Sequence, residues 1–189
     1  MARVHSTDMA TELSWGAPLT EDDMAEMPDD GHRYELIDGV LIVSPSPSLG
    51  HQRCVVSMLL LLHAGRHPEH EVLPAPFDVR FSRTTVVQPD VLVARQTDLT
   101  PTRLEAAPLL AVEVLSPSTR FIDLGTKRLA FEAAGVPAYW LVDPDVPSMT
   151  VLHLHDGRYV EHAVVTGDEP YTATVPFAVT VVPARLLDA

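Results

Sequence analysis

The sequence predicts an α/β (α+β) fold, with strands and helices around one core and a β-hairpin near each end, and three observations predict it. From Val86 to Pro144 the chain reads VVQPDVLVA, LLAVEVLSPST, DLGTKRLAFEAAG and AYWLVDP, which is strand, strand, helix, strand. The first two are continuous apolar runs of the kind that lie inside a sheet. Asp38-Gly39 between YELI and VLIV is the strongest short hairpin signal available. A second hairpin is expected where Met149 to Leu154 and Arg158 to Val165 flank HDGR.

Residues 1–17 mix small, polar and charged types without a period and read as a disordered tail. Residues 18–189 are then expected to form one domain, since 189 residues with 46% apolar content suffice for a single core. Thr20 is an expected N-cap, with Glu21 to Asp23 in the first turn of a helix ending near Pro28. Glu35 falls in the first hairpin strand. Ser44 to Gly50 is a loop by its proline and serine, and HQRCVVSMLLLLHAGRH after it has the length of a helix. That helix is apolar nearly all round, so it is expected to be buried against the sheet or against another subunit, and a homodimer follows. EVLPA and FDVRF are the next strands. Short strands at 171–175 and 178–182 and a last turn at 184–187 complete the chain.

Composition narrows the function. A single cysteine, Cys54, forms no intrachain disulfide, no stretch has the pattern of a signal peptide, and no apolar run is long enough to cross a bilayer. A cytoplasmic protein without membrane contact is expected. The net charge of -13 is unfavourable for gripping nucleic acid, but it is unevenly spread. Residues 1–40 hold ten acids and two arginines, whereas residues 51–130 hold eight arginines and Lys127 against eight acids.

Two acids interrupt the central apolar strands, Asp90 in the first and Glu113 in the second. An unpaired buried carboxylate costs several kcal/mol, so such acids are paired, hydrogen-bonded or bound to metal. Pro89 cannot donate to a sheet ladder and so marks an edge, a bulge or a bend that re-aims Asp90. On adjacent strands the two carboxylates would suit one Mg²⁺ or Mn²⁺, ions that take oxygen ligands and keep several waters. Lys127, the one lysine in the sequence, would add a compact positive charge near a phosphoryl group. The hydroxyls of Ser116, Ser118 and Thr119 are further phosphate ligands. The competing reading makes Asp90 and Glu113 a structural ion-pair system with Arg120 or Arg128. His63, His67 and His70, and likewise His153, His155 and His162, lack the spacing or the completing ligands of a zinc site. His51 and Gln52 at a helix start would either approach a substrate or merely cap. No signature of a serine hydrolase, a phosphate-binding glycine loop or a dinucleotide fold occurs.

YELIDG, the HQ-headed helix, QPD, VEVLSPST and DLGTKR…AGVPAYWLVDP, in that order, resemble the Uma-type endonuclease family, a branch of the PD-(D/E)XK nuclease superfamily. The resemblance spans roughly residues 18–187. It implies a restriction endonuclease-like core, a mixed sheet flanked by helices, and a Mg²⁺-dependent hydrolase acting on DNA. By the same resemblance Pro89-Asp90 matches the PD and Glu113 the acid of (D/E)XK, which makes Asp90 and Glu113 metal ligands. The residue two after Glu113 is Leu115 rather than lysine. Lys127 on the next helix takes that place, and Glu35 is the additional acid. The alternative is a nuclease-like fold kept as a binding or assembly module without turnover.

Overall fold

The computed structural model describes residues 17–188. The tail expected over 1–17 therefore lies outside the described residues, Ala17 excepted.

Asp23 Oδ2 accepts hydrogen bonds from the Thr20 amide and hydroxyl, at 2.8 and 2.7 Å, and so fixes the start of helix α1 (Glu21–Ala25). Strands β1 (Arg33–Ile37) and β2 (Val40–Ser44) pair antiparallel around Asp38 and Gly39, both at positive φ, 50° and 78°. Glycine is required at 39 for a second reason, because a Cβ there would stand 2.3 Å from Pro18 Cβ. Helix α2 (Leu49–Gly65) begins at Ser48, whose hydroxyl accepts from the His51 amide. Strands β3 (His70–Pro74) and β4 (Asp78–Ser82) follow as expected.

The run VVQPDVLVA is not one strand. It breaks at Gln88-Pro89-Asp90 into β5 (Thr85–Val87) and β6 (Val91–Arg95), which belong to different sheets. Proline offers no amide to the ladder, so the chain leaves one sheet there and enters the other. A two-residue strand β7 (Arg103–Leu104) precedes β8 (Leu110–Val114). The helical segment after it is α3 (Arg120–Ile122), a π-helical turn (Asp123–Lys127) and α4 (Arg128–Ala133). Strands β9 (Ala138–Asp143), β10 (Ser148–His155), β11 (Arg158–Thr166), β12 (Tyr171–Ala173) and β13 (Val179–Val181) and a 3-10 turn (Pro183–Leu187) complete the described chain.

The fold is mixed α+β. A six-stranded sheet runs β11-β10-β9-β8-β6-β3, antiparallel throughout except for β8 beside β9. A five-stranded sheet runs β2-β1-β5-β4-β7. Alternation along each strand divides the core into two layers. Val91, Val93, Val112, Val114, Trp140 and Val142 face α2 and meet Cys54, Met58 and Leu62. Leu92, Ala94, Ala111, Tyr139 and Leu141 face the opposite way and meet Phe131 of α4 and Val79, Val87 and Leu104 of the five-stranded sheet.

Helix α2 is less buried than its composition suggests. One sheet face absorbs Cys54, Val55, Met58 and Leu62, while Leu60 keeps 62% of its surface exposed and Leu49 and Val56 also face outward. Among the described residues no helix is long and apolar enough to cross a membrane.

Candidate active site

Register decides where the two strand acids point. Val91 pairs with Val112 across the β6–β8 ladder, which sets Asp90 opposite Glu113. By alternation Glu113 lies on the face of Ala111, beneath α4 and the five-stranded sheet. Asp90, just before β6, sits at the sheet's end, where both Arg33 of β1 and His51 of α2 reach it. Glu35 enters the same space from β1, in phase with Arg33 and Ile37.

Lys127 joins them from the helix. The π turn carries Asp123 and Lys127 inward, both almost fully buried, and the Tyr139 hydroxyl donates to the Asp123 carbonyl at 3.0 Å inside that irregular turn. The Lys127 Nζ stands 2.9 Å from Glu113 Oε1 and 2.9 Å from Glu35 Oε1, with Asp123 Oδ1 at 3.9 Å. Glu35 Oε1 also accepts the Gln88 amide at 2.7 Å, so the break between β5 and β6 is tied directly to the acid of β1. Asp90 is held from three sides. Its Oδ1 accepts from Arg33 at 2.7 Å, and its Oδ2 accepts the Val114 amide at 2.8 Å and lies 3.1 Å from His51 Nε2.

All four expected residues, Glu35, Asp90, Glu113 and Lys127, are thus in one buried cluster. Sequence reasoning missed Arg33 and Asp123 and left His51 undecided. A signal existed for the first two: Arg33 shares a strand face with Glu35 by period two, and Asp123 precedes Lys127 by one helical turn. The expected alternative partners of the acids are elsewhere. Arg120 pairs with Asp143, and Arg128 donates to the Tyr159 carbonyl.

Charge in the cluster does not balance. Four carboxylates (Glu35, Asp90, Glu113, Asp123) face two permanent cations (Arg33, Lys127). Burial opposes ionisation of Asp90, but the His51 hydrogen bond and the Arg33 charge outweigh it and hold the carboxyl well below its ordinary range. Burial would strip the proton from Lys127, yet Glu113 and Glu35 keep it charged and raise its pKa. One ammonium serves two carboxylates, so the excess falls on Glu113. Burial pushes that carboxyl well above the ordinary value, Lys127 pulls it back, and Asp90, Asp123 and Glu35 add to the upward push. Asp123 is raised by burial too, against Lys127.

The cluster lies under a cleft of about 1050 Å³ whose lining includes Arg33, His51, Gln88 and Asp90. Ser116, Ser118 and Thr119 line it as well, with Ser116 Oγ 3.0 Å from Ser118 Oγ and 2.9 Å from Thr119 Oγ1. Glu35, Glu113 and Lys127 lie behind that surface, each at most 1% exposed.

Oxygen-rich chemistry of this kind fits a hard divalent cation. Glu35 Oε2 is buried without a hydrogen-bond partner, with Arg33 Nε 3.6 Å away, and with all four carboxyls ionised the two surplus negative charges would equal the charge of one such ion. Against this, among the described residues no three His, Cys, Asp or Glu side chains already form a metal-holding group. In the other histidine set, His153 and His162 stack with ring centroids 4.2 Å apart.

The Uma2 family model, described as "Putative restriction endonuclease", matches residues 21–183. Among solved structures, the crystal structure of a "putative nuclease belonging to DUF820" from Anabaena variabilis is similar over 90% of this chain and 98% of its own, with a TM-score of 0.73. At 19% identity that likeness shows the fold, restriction endonuclease-like. No curated relative matches the chain.

Proposed function

The chain belongs to the Uma2 family, and from that premise we propose that it is a Mg²⁺- or Mn²⁺-dependent endonuclease hydrolysing phosphodiester bonds of DNA. The observation that carries this reading is the cluster itself, acids from both sheets meeting around a buried ammonium with two carboxyls in excess of the cations. Asp90 and Glu113 are the residues that would hold the ion, with Glu35 as the supporting acid. When bound, such an ion lowers the pKa of water and offsets charge on a phosphoryl oxygen.

The chain's own residues divide the remaining work. Arg33, at the cleft surface and 2.7 Å from Asp90, is placed to meet a phosphate oxygen. Lys127 is too deeply buried to touch a substrate directly and acts through Glu113 and Glu35, which makes it a positioning residue. The hydroxyls of Ser116, Ser118 and Thr119 offer donors at the cleft wall. Asp90→Ala and Lys127→Ala are expected to abolish Mg²⁺- or Mn²⁺-dependent nicking of supercoiled DNA while circular dichroism reports a folded protein. Cleavage at wild-type rate in both variants would overturn the assignment.

A second reading, a nuclease-like fold that binds or assembles without cutting, is favoured by one observation: Arg33 and Lys127 already neutralise part of the acid set. Calorimetry separates the two, since a silent module shows no Mg²⁺ or Mn²⁺ binding that Asp90→Ala removes. The same proposal takes the protein to be cytoplasmic. It also includes a homodimer, supported by the outward Val56 and Leu60 of α2. Light scattering at micromolar concentration that returns the 20.7 kDa mass of one chain would end the dimer.

A further inference from the structure

The cleft wall carries six carboxylates against three arginines, a poor surface for a polyanion. Three of those carboxylates come from one short segment, Glu21 and Asp22 in α1 and Asp29 after it. Helix α1 buries none of its residues, so apolar packing does not explain where it lies. Backbone bonds fix only its root, Leu19 N to the Gly39 carbonyl at 2.9 Å and Glu21 N to the Arg83 carbonyl at 2.7 Å. Beyond the root, ion pairs hold it. Glu21 accepts from Arg80 Nε and Nη2 at 2.7 and 2.8 Å, and Arg103 Nη1 reaches Glu21 Oε2 at 3.3 Å while its Nη2 pairs with Glu105. Asp22 pairs with Arg83 on the outside.

A planar carboxylate that takes a bidentate guanidinium and a second arginine occupies those side chains as a phosphate would. We propose that the acidic segment 21–29 is an intramolecular polyanion that masks Arg80 and Arg103, and that these two arginines, with Arg33, are the phosphate-contacting wall for a nucleic-acid backbone. The inference rests on the nuclease reading and deepens it. Displacing the segment changes the wall from six acids against three arginines to three against three. Binding then requires the backbone to compete Glu21 away, which disfavours weak or short anions and favours a duplex that meets several arginines at once.

The test is equilibrium binding of a short fluorescent DNA duplex to the full chain in EDTA, titrated with salt. Glu21→Gln is expected to bind about tenfold tighter than wild type at about 50 mM salt, with the slope of log affinity on log salt steeper by about two. Arg80→Ala with Arg103→Ala is expected to weaken Glu21→Gln strongly and wild type little. Wild-type affinity and slope in Glu21→Gln, or an arginine effect equal in both backgrounds, would overturn the masking. Should Glu21→Gln not fold, the shorter Glu21→Asp, which withdraws the carboxylate from both guanidinium groups, takes its place with a gain in the same direction, and wild-type affinity in it overturns the masking equally. Metal-dependent cleavage by wild type together with an inert Glu21→Gln substitution sinks the masking alone. Absence of binding and cleavage in every variant sinks the nuclease reading and the masking with it.

Discussion

Replacing Lys127 by methionine keeps the length and most of the volume of the side chain and removes only its charge. In the folded protein that leaves Glu35 and Glu113 facing each other across the vacated ammonium, both almost fully buried. Each ion pair at 2.9 Å supplies about 6 kcal/mol of attraction at an effective dielectric constant of ~20. Most of that offsets desolvation, so the net loss expected on breaking the buried system is about 3–5 kcal/mol. For a chain of this size the loss lowers the melting temperature by roughly 10 °C. The assay is thermal unfolding by circular dichroism in EDTA. A second substitution, Glu113→Gln, in the Lys127→Met background is expected to recover much of the loss, because it removes one uncompensated carboxylate. A Lys127→Met protein that melts within ~2 °C of wild type would show that the ammonium carries little of the cluster's energy, and the argument from buried charge would fail.

Glu113 and the first hairpin each respond to a simpler perturbation. The raised Glu113 carboxyl keeps its proton in the folded chain at pH values where the unfolded chain has lost it. Stability without metal should therefore fall as pH rises above the ordinary glutamate value of 4.5 through the raised one. The Mg²⁺-induced gain in melting temperature should grow across that window, and Glu113→Gln should flatten both trends. An unchanged pH profile in Glu113→Gln contradicts the assignment of the excess charge to this residue. At the hairpin, Gly39→Ala meets a φ of 78° and Pro18 at 2.3 Å, so chemical denaturation should report a loss of about 2 kcal/mol or more. A neutral result there would mean that the root of α1 yields freely.

Much of the architecture was legible because local chemistry and tertiary context agree. Asp38-Gly39 demands a hairpin whatever surrounds it, and Thr20 with Asp23 closes a cap within four residues. Apart from Glu113 and the terminal Asp143, strands β8 and β9 are apolar on both faces, as a sheet covered on both sides requires. The run from Val86 to Ala94 misled for a definite reason. Periodicity cannot tell one long strand from two short ones, and only the two-sheet arrangement makes Pro89 a crossing point rather than a bulge. Arg33 and Asp123 escaped notice because each reads as an ordinary surface charge in sequence. Their placement beside the acids is decided by the β1–β5 pairing and by the π turn, both of which depend on distant contacts. The apolar character of α2 overstated its burial, since a single sheet face accepts only one side of a helix.

The position of the ammonium is the instructive case. A lysine two residues after Glu113 would share its strand face by alternation, but β8 ends at Val114 and position 115 is a buried leucine packed in the α4-side layer. The chain then turns at Ser116 and returns as helix above the same face. A lysine on that helix reaches the carboxylate only if its side chain is directed down onto the sheet. The five-residue π turn aims Lys127 there, with the Tyr139 hydroxyl holding the turn's first carbonyl. What the chemistry requires is a charge on one face of one sheet, not a spacing in the sequence. A one-residue slip of β8 against β6 would move Glu113 to the α2 layer and take one of the two carboxylates 2.9 Å from Lys127 away from it, so the packing of both layers locks the acid and its ammonium together.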